Sequence, residues 1–81
     1  MQEGVKVGIQ APEELKPLVM KIEQSIKRKI SVGRKISHQK LADDLTKRFD
    51  NLRAVQYAII NLIRRGEFQH VQGRKVLIRK K

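Results

Sequence analysis

The sequence of 81 residues predicts one small α+β domain in which three helices precede a C-terminal β-hairpin. Two observations carry this prediction. Apolar residues recur at helical spacing in three stretches between residues 15 and 63. Apolar and charged residues then alternate over residues 67–71 and again over residues 74–79, with Gln72-Gly73 between the two runs. Such alternation around a glycine-containing turn is typical of two paired strands.

The first helix is expected to run from about Lys16 or Pro17 to Lys29. Proline suits the first turn of a helix, where its missing N–H has no partner to lose, but it would interrupt a helix that began at Ala11. The apolar stripe of this helix consists of Leu15, Leu18, Val19, Ile22, Ile26 and Ile30. Residues 1–11, which include Gly4 and Gly8, are interpreted as a flexible linker or lead-in, so the folded domain is expected to cover residues 12–81.

The next two helices are marked by their capping residues. Ser31-Val32-Gly33 ends the first helix, and a short strand is expected at residues 34–36. Ser37 is a good N-cap for a second helix from His38 to about Arg48, and either Asp50 or Asn51 caps a third helix that reaches about Arg65, before Gly66. Their expected inward residues are Leu41, Ala42, Leu45 and Phe49 on the second helix and Val55, Ile59, Leu62 and Ile63 on the third.

The order of elements is therefore helix, short strand, helix, helix and β-hairpin. Two closely spaced helices followed by a hairpin are the pattern of a winged helix, which is a variant of the helix-turn-helix. The hairpin covers one side of a three-helix core that does not close otherwise, and its basic tip is the wing.

Charge is the strongest compositional signal. The formal net charge is +11, and residues 34–81 contain thirteen basic and four acidic residues, against six and four in residues 1–33. Such asymmetry in a folded domain favours a polyanionic partner, most often nucleic acid. The absence of cysteine fits a reducing compartment, and no apolar run approaches the ~20 residues that a membrane helix needs.

Six residues are candidates for binding DNA or a partner protein. A rotation of about 100° per residue places four of them opposite the apolar stripe of the third helix, and the other two belong to the wing. They are Arg53, Tyr57, Asn61 and Arg64 on the helix, and Arg74 and Lys75 on the wing. Arginine and asparagine pair with phosphates or base edges, although a merely solvated face is the alternative for each residue. Ile60, near the same face, is a candidate anchor for a protein.

The sequence does not predict catalysis. His38 and His70 are far apart in the chain and are interpreted as structural, because a metal site needs three or four ligands. Asp43 and Asp44 diverge by about 100° on a helix and do not share a site. No phosphate-binding loop of the G-x-x-x-x-G-K-[ST] type is present. We therefore expect no catalytic residue, metal, cofactor or small-molecule substrate in this domain.

Three blocks of sequence resemble a known family. They are "KIEQSIKRKISVG" at residues 21–33, "LIRRGEFQH" at residues 62–70 and "QGRKVLIRKK" at residues 72–81. Each is similar to a block in the C-terminal winged-helix domain of the fifth subunit of the eukaryotic minichromosome maintenance (MCM) replicative helicase. The third block is the most specific, because it couples the sequence of the wing with the end of the chain.

The resemblance implies a non-catalytic domain attached to an ATP-dependent DNA helicase. In that family such domains help to dock the helicase ring onto the origin-loading machinery during replication licensing, and they lie near the DNA channel. The implied partners are other MCM subunits, origin-loading proteins and duplex DNA, the last bound weakly, in a salt-sensitive and mostly non-specific way. The implied location is the nucleus.

Two other functions remain open from the residues. A free-standing transcription regulator of the winged-helix class usually dimerises to read two half-sites, and no long heptad or spare apolar helix is visible. A protein-interaction domain of the cullin type is suggested by "RKISHQKL" and "KRF", although those domains usually lack so basic an end.

Overall fold

The computed structural model describes residues 11–81, and the predicted order of elements is confirmed. A 3-10 helix at Glu13–Leu15 precedes α1 (Lys16–Lys29), β1 (Lys35–Ser37), α2 (His38–Phe49), α3 (Leu52–Arg64), β2 (Phe68–Val71) and β3 (Val76–Arg79). Three helices and a small antiparallel sheet form the expected α+β winged-helix arrangement. The predicted flexible lead-in falls almost wholly on residues 1–10, which lie outside the described residues. Its last residue, Ala11, is partly buried against the core.

Side-chain caps fix the starts of α2 and α3 as the sequence indicates. Ser37 Oγ accepts a hydrogen bond from the Lys40 backbone N–H at 3.3 Å. Asn51 Oδ1 accepts one from the Ala54 N–H at 3.0 Å, so Asn51, not Asp50, is the N-cap of α3. Asp50 instead ends α2 in a left-handed conformation, with a φ of 53°. The tight connection between α2 and α3 therefore depends on two adjacent short polar residues.

One hydrophobic core joins the three helices to the hairpin. Most of the predicted apolar-stripe and inward residues are buried. Five are only partly buried at the edge of the core, namely Leu15, Leu18, Ala42, Phe49 and Ile63. The buried apolar side chains are Val19, Ile22, Ile26, Ile30, Leu41, Leu45, Ala54, Val55, Ala58, Ile59, Leu62, Phe68 and Leu77.

The sheet has the order β1–β3–β2, with both pairings antiparallel. Leu77 lies at its centre, where it is in register with Ile36 on one side and His70 on the other. The hairpin turn covers residues 72–75 and is longer than the Gln72-Gly73 turn that the sequence suggests, because β3 begins at Val76. Gln72, Gly73 and Arg74 all have positive φ. Arg74 and Lys75 therefore lie at the tip of the wing.

Arg79 fastens the hairpin to the end of α1. Its Nη1 donates hydrogen bonds to the backbone carbonyls of Lys27 at 2.9 Å and Ile30 at 2.8 Å. The last carbonyls of a helix have no partner within the helix, so a guanidinium from β3 is a suitable C-terminal cap. This contact helps to hold the wing in one position relative to the helices.

Candidate nucleic-acid interface

The outward face of α3 begins with Arg53 and Tyr57. Arg53 is exposed, and its Nη2 donates to Tyr57 Oη at 3.5 Å. Tyr57 itself is partly buried against the core, so it supports the arginine as well as adding contact surface. Together with Gln56 and Ile60 they line a depression of about 180 Å³. That volume is below the roughly 300 Å³ at which small-molecule pockets begin, and the depression suits a phosphate or a side chain better than a cofactor.

Arg64 extends this face toward the end of α3. It follows Arg53 by eleven residues, which is about three turns, so the two residues lie on the same side of the helix roughly 16 Å apart along its axis. Arg64 is exposed. The outward face of α3 thus presents two exposed arginines, one near each end.

Asn61 does not belong to this face, and its predicted outward orientation is wrong. Its Nδ2 donates to Glu23 Oε2 on α1 at 3.1 Å. Arg65 Nη2 donates to the other oxygen of the same carboxylate at 2.7 Å. Glu23 is only 8% exposed, and a buried carboxylate needs such donors. Asn61 lies on the side of α3 that packs against α1, and the helical period alone does not tell which flank the neighbouring helix covers.

The wing supplies the second part of the candidate interface. Arg74 and Lys75 are both exposed at the tip of the hairpin. The backbone carbonyl of Lys75 accepts a hydrogen bond from the His38 N–H at 3.0 Å, which ties the tip to the start of α2. The tip is therefore attached to the helix-turn-helix that carries Arg53 and Arg64.

The part of the chain that contains α3 and the wing has few acidic residues that could neutralise its cations. Glu67 is the only acidic residue in residues 51–81. Its carboxylate is bound by Lys27 Nζ at 2.7 Å and Arg65 Nε at 2.8 Å. Hydrogen bonds from Lys27 and then Arg65 lower the pKa of Glu67, so it is ionised and already paired near neutral pH. Among residues 11–81, Arg53, Arg74 and Lys75 form no ion pair with a carboxylate, so their charge is available for an external anion.

The two histidines, although far apart in the chain, are in contact. His70 Nε2 lies 3.0 Å from His38 Nδ1, and the rings stack with centroids 5.0 Å apart. Burial lowers the pKa of His70, and the charges of His38 and Arg74 lower it further. Within residues 11–81, no group of three or more histidine, cysteine or acidic side chains is placed to hold a metal ion.

Comparison with known proteins decides the family. Residues 21–79 match the family described as MCM5, C-terminal domain. The chain belongs to the MCM5 C-terminal domain family. This match covers β1, α2 and α3, the hairpin and most of α1, and it includes all six candidate residues.

Curated relatives agree with this assignment. The chain is 36% identical over 67 residues to DNA replication licensing factor Mcm5 of Drosophila melanogaster, covering 83% of this chain and 9% of that protein. It is 32% identical over 67 residues to DNA replication licensing factor mcm5 of Xenopus tropicalis, covering 83% of this chain and 9% of that protein. It is 27% identical over 77 residues to DNA replication licensing factor MCM5 of Arabidopsis thaliana, covering 95% of this chain and 11% of that protein. The chain thus spans about a tenth of the length of these MCM5 relatives.

The MCM5 assignment agrees with the family that the three blocks of sequence resemble. None of the helices within residues 11–81 has the length and apolar character of a membrane-spanning segment.

Proposed function

We propose that this MCM5 C-terminal domain is a non-catalytic duplex-DNA contact module of a replication licensing protein. The outer face of α3 and the tip of the wing are the contact surface. Arg53, Arg64, Arg74 and Lys75 provide its charge, and Tyr57 supports Arg53. The observation that carries the proposal is the exposure of Arg53, Arg74 and Lys75 while Glu67, the one acid of residues 51–81, is paired elsewhere.

The proposed contact is mostly to phosphates. Asn61 was the candidate best suited to reading an adenine edge, and its amide is engaged by Glu23. The remaining candidates are arginines and a lysine, which bind phosphates regardless of sequence. A single module with about four phosphate contacts binds weakly, and its affinity falls steeply with salt. Such binding suits a domain that acts as part of a larger DNA-bound assembly.

The proposed setting is an MCM protein in the nucleus. The relatives are named as DNA replication licensing factors, and the resemblance to the MCM helicase family implies other MCM subunits and origin-loading proteins as neighbours. ATP-dependent helicase activity belongs in this proposal to the parent protein, outside the 81 residues. The domain contributes a DNA contact, a docking contact to the loading machinery, or both.

The test is a fluorescence-anisotropy titration of the 81-residue chain on a labelled duplex of about 20 base pairs at 50 and 200 mM salt. With about four phosphate contacts, the affinity should fall roughly 100-fold between these concentrations. Arg74→Glu/Lys75→Glu should weaken binding at 50 mM salt at least tenfold and make the salt dependence shallower. Duplexes of unrelated sequence should bind within about threefold of one another.

A charge-matched control is available on the other side of the domain. Lys21→Glu/Arg28→Glu on α1 makes the same change in net charge and should weaken DNA binding much less than the wing variant. If both variants lost the same DNA affinity, the net charge of the domain and not the position of the wing would explain the binding. Absence of binding at 50 mM salt would overturn the DNA contact and leave docking to a protein as the function of this surface.

A further inference from the structure

A second basic surface lies between α1 and α2, away from the proposed DNA contact. It is a groove of about 440 Å³. It is lined by Lys21, Gln24, Ser25, Arg28, Arg48 and Phe49. Three of these six residues are cations and none is acidic. The family resemblance and the proposed function do not use this groove.

The two groove cations on α1, Lys21 and Arg28, differ from the other cations of this helix because they form no ion pair within residues 11–81. Lys16, Lys27 and Lys29 each form an ion pair, with Glu13, Glu67 and Asp44 respectively. Among residues 11–81, by contrast, neither Lys21 nor Arg28 pairs with a carboxylate, and both line the groove. The helix therefore neutralises its positive charge everywhere except along this one face.

Arg48 closes the groove from the α2 side and is held in place. Its Nη1 donates to Ser25 Oγ on α1 at 3.3 Å, and its guanidinium carbon lies 5.7 Å from the centre of the Phe49 ring. Stacking over an aromatic ring and one hydrogen bond restrict the side chain while leaving further N–H donors of its planar fork for another acceptor. Phe49 is partly buried and gives the groove an apolar wall.

The groove and the α3 surface face different directions. α1 approaches α3 through Glu23, which binds Asn61 and Arg65. Lys21, Gln24 and Arg28 follow one another at helical spacing, and their common direction lies roughly 130° around α1 from Glu23. One rigid duplex lying on α3 and the wing therefore does not reach this groove, so the two surfaces can be occupied independently.

We infer that the α1–α2 groove binds an acidic, extended segment of a partner protein. Lys21 and Arg28 are seven residues apart, or about 10 Å along α1, which is the length of about three residues of extended chain. Alternate side chains of such a segment point the same way, about 7 Å apart, and every fourth about 13 Å apart. Carboxylates at these positions bracket the spacing of about 10 Å, and the long side chains of Lys21, Arg28 and Arg48 can extend to meet them. Guanidinium groups bind carboxylates in bidentate geometry, and a concave groove with an aromatic wall fits a single chain better than a convex duplex.

The test uses an octapeptide in which Asp alternates with Ser, and a neutral peptide with Asn in place of Asp. Each is titrated into ¹⁵N-labelled 81-residue chain and followed by amide chemical shifts. The acidic peptide should shift amides of residues 21–28 and 48–49, and the neutral peptide should not. Lys21→Glu/Arg28→Glu should weaken peptide binding at least tenfold, and Arg74→Glu/Lys75→Glu should change it less than threefold.

Each double variant is the test in one experiment and the control in the other. The groove variant tests peptide binding, and the wing variant tests DNA binding. Loss of peptide binding in the groove variant with DNA binding kept, and the reverse in the wing variant, would establish two separate surfaces. If circular dichroism shows that the groove variant is unfolded, Lys21→Gln/Arg28→Gln makes the same comparison with a milder change. Equal weakening by both variants, absence of binding at millimolar peptide, or duplex DNA shifting the groove amides instead of the wing would each overturn the inference.

Discussion

His70 Nε2 lies 3.0 Å from His38 Nδ1, and the two rings stack at the junction of the hairpin and α2. One ring nitrogen of the facing pair donates and the other accepts, so the contact needs a single proton between them. If both rings are protonated, two N–H groups face each other and the hydrogen bond is lost. Lys75 at the wing tip also bonds the backbone of His38, so this pair adjoins the proposed DNA contact.

The pair should make stability depend on pH. The pKa of His70 is lowered in the folded domain by burial and by the charges of His38 and Arg74, whereas an unfolded histidine titrates near 6.5. Between those two pKa values the unfolded chain binds more protons, so the free energy of unfolding falls as the pH drops below about 6.5 and levels off below the folded pKa. Urea unfolding at pH 7.5, 6.5 and 5.5 should show this decrease in the wild type.

His70→Gln is the matched variant, because glutamine can hydrogen-bond but does not titrate. Its stability should change less between pH 7.5 and 5.5 than that of the wild type. An NMR titration of the wild type should give a pKa for His70 below that of a free histidine. If the stability of wild type and His70→Gln changed identically with pH, His70 would not be the source of the pH dependence.

Asn61 should matter for stability, not for DNA binding. Asn61→Ala removes one donor from the buried carboxylate of Glu23, and a lost hydrogen bond of this kind costs about 1 kcal/mol of unfolding free energy. Asn61→Asp should cost more, because it places a second carboxylate beside the first. The measurement is urea unfolding near neutral pH.

Gln56→Ala is the control for Asn61, since Gln56 is exposed on the same helix. It should change stability by less than about 0.5 kcal/mol. DNA affinity of Asn61→Ala should stay within about threefold of the wild type, provided that the variant is folded at the assay temperature. A large loss of DNA affinity in folded Asn61→Ala would show that Asn61 takes part in the DNA contact after all.

Local signals in the sequence account for most of the fold. Ser37 and Asn51 act within three residues of their own positions, and the sequence pattern places both near helix starts. Gly66 has a φ of 78°, a conformation that glycine adopts readily, which is why it marks the end of α3. Caps, glycines and apolar periodicity are all short-range features, so they can be read without knowing how the helices pack.

The contacts that the sequence does not predict are all long-range. Asn61 and Glu23 are 38 residues apart, and His38 and His70 are 32 apart. Arg48 meets Ser25 across 23 residues. Lys21, Gln24 and Arg28 have the spacing of one helix face, and the packing of α2 beside that face forms the groove. The charge asymmetry indicates an anionic partner without saying which surfaces it uses.

Arg79 should be among the more important charged residues for stability. Arg79→Met keeps much of the apolar stem but removes the hydrogen bonds to the carbonyls of Lys27 and Ile30. Charged hydrogen bonds contribute about 1.5–3 kcal/mol, so we expect a loss of about 2 kcal/mol and a decrease of roughly 10 °C in Tm for a domain of this size. Hydrogen exchange should become faster in the last turn of α1.

Lys80→Met is the neighbouring control for Arg79, since Lys80 is exposed and its change removes the same charge. Its Tm should lie within a few degrees of the wild type. Equal losses in the two variants would mean that charge at the C-terminus, not the cap of α1, decides stability.

Glu67 should govern stability in acid. Hydrogen bonds from Lys27 and Arg65 lower its pKa below the ordinary 4.5, so its stabilising contribution is fully present above about pH 4.5 and is lost as the pH falls through the folded pKa. Glu67→Gln should therefore be less stable than the wild type at pH 7, and the difference should shrink as the pH falls below 4.5. Glu14→Gln, at an exposed carboxylate of the 3-10 helix, is the control and should follow the wild-type curve closely. Thermal unfolding between pH 3 and 7 measures all three proteins, and a difference between Glu67→Gln and the wild type that stays constant over this range would refute the ionic role of Glu67.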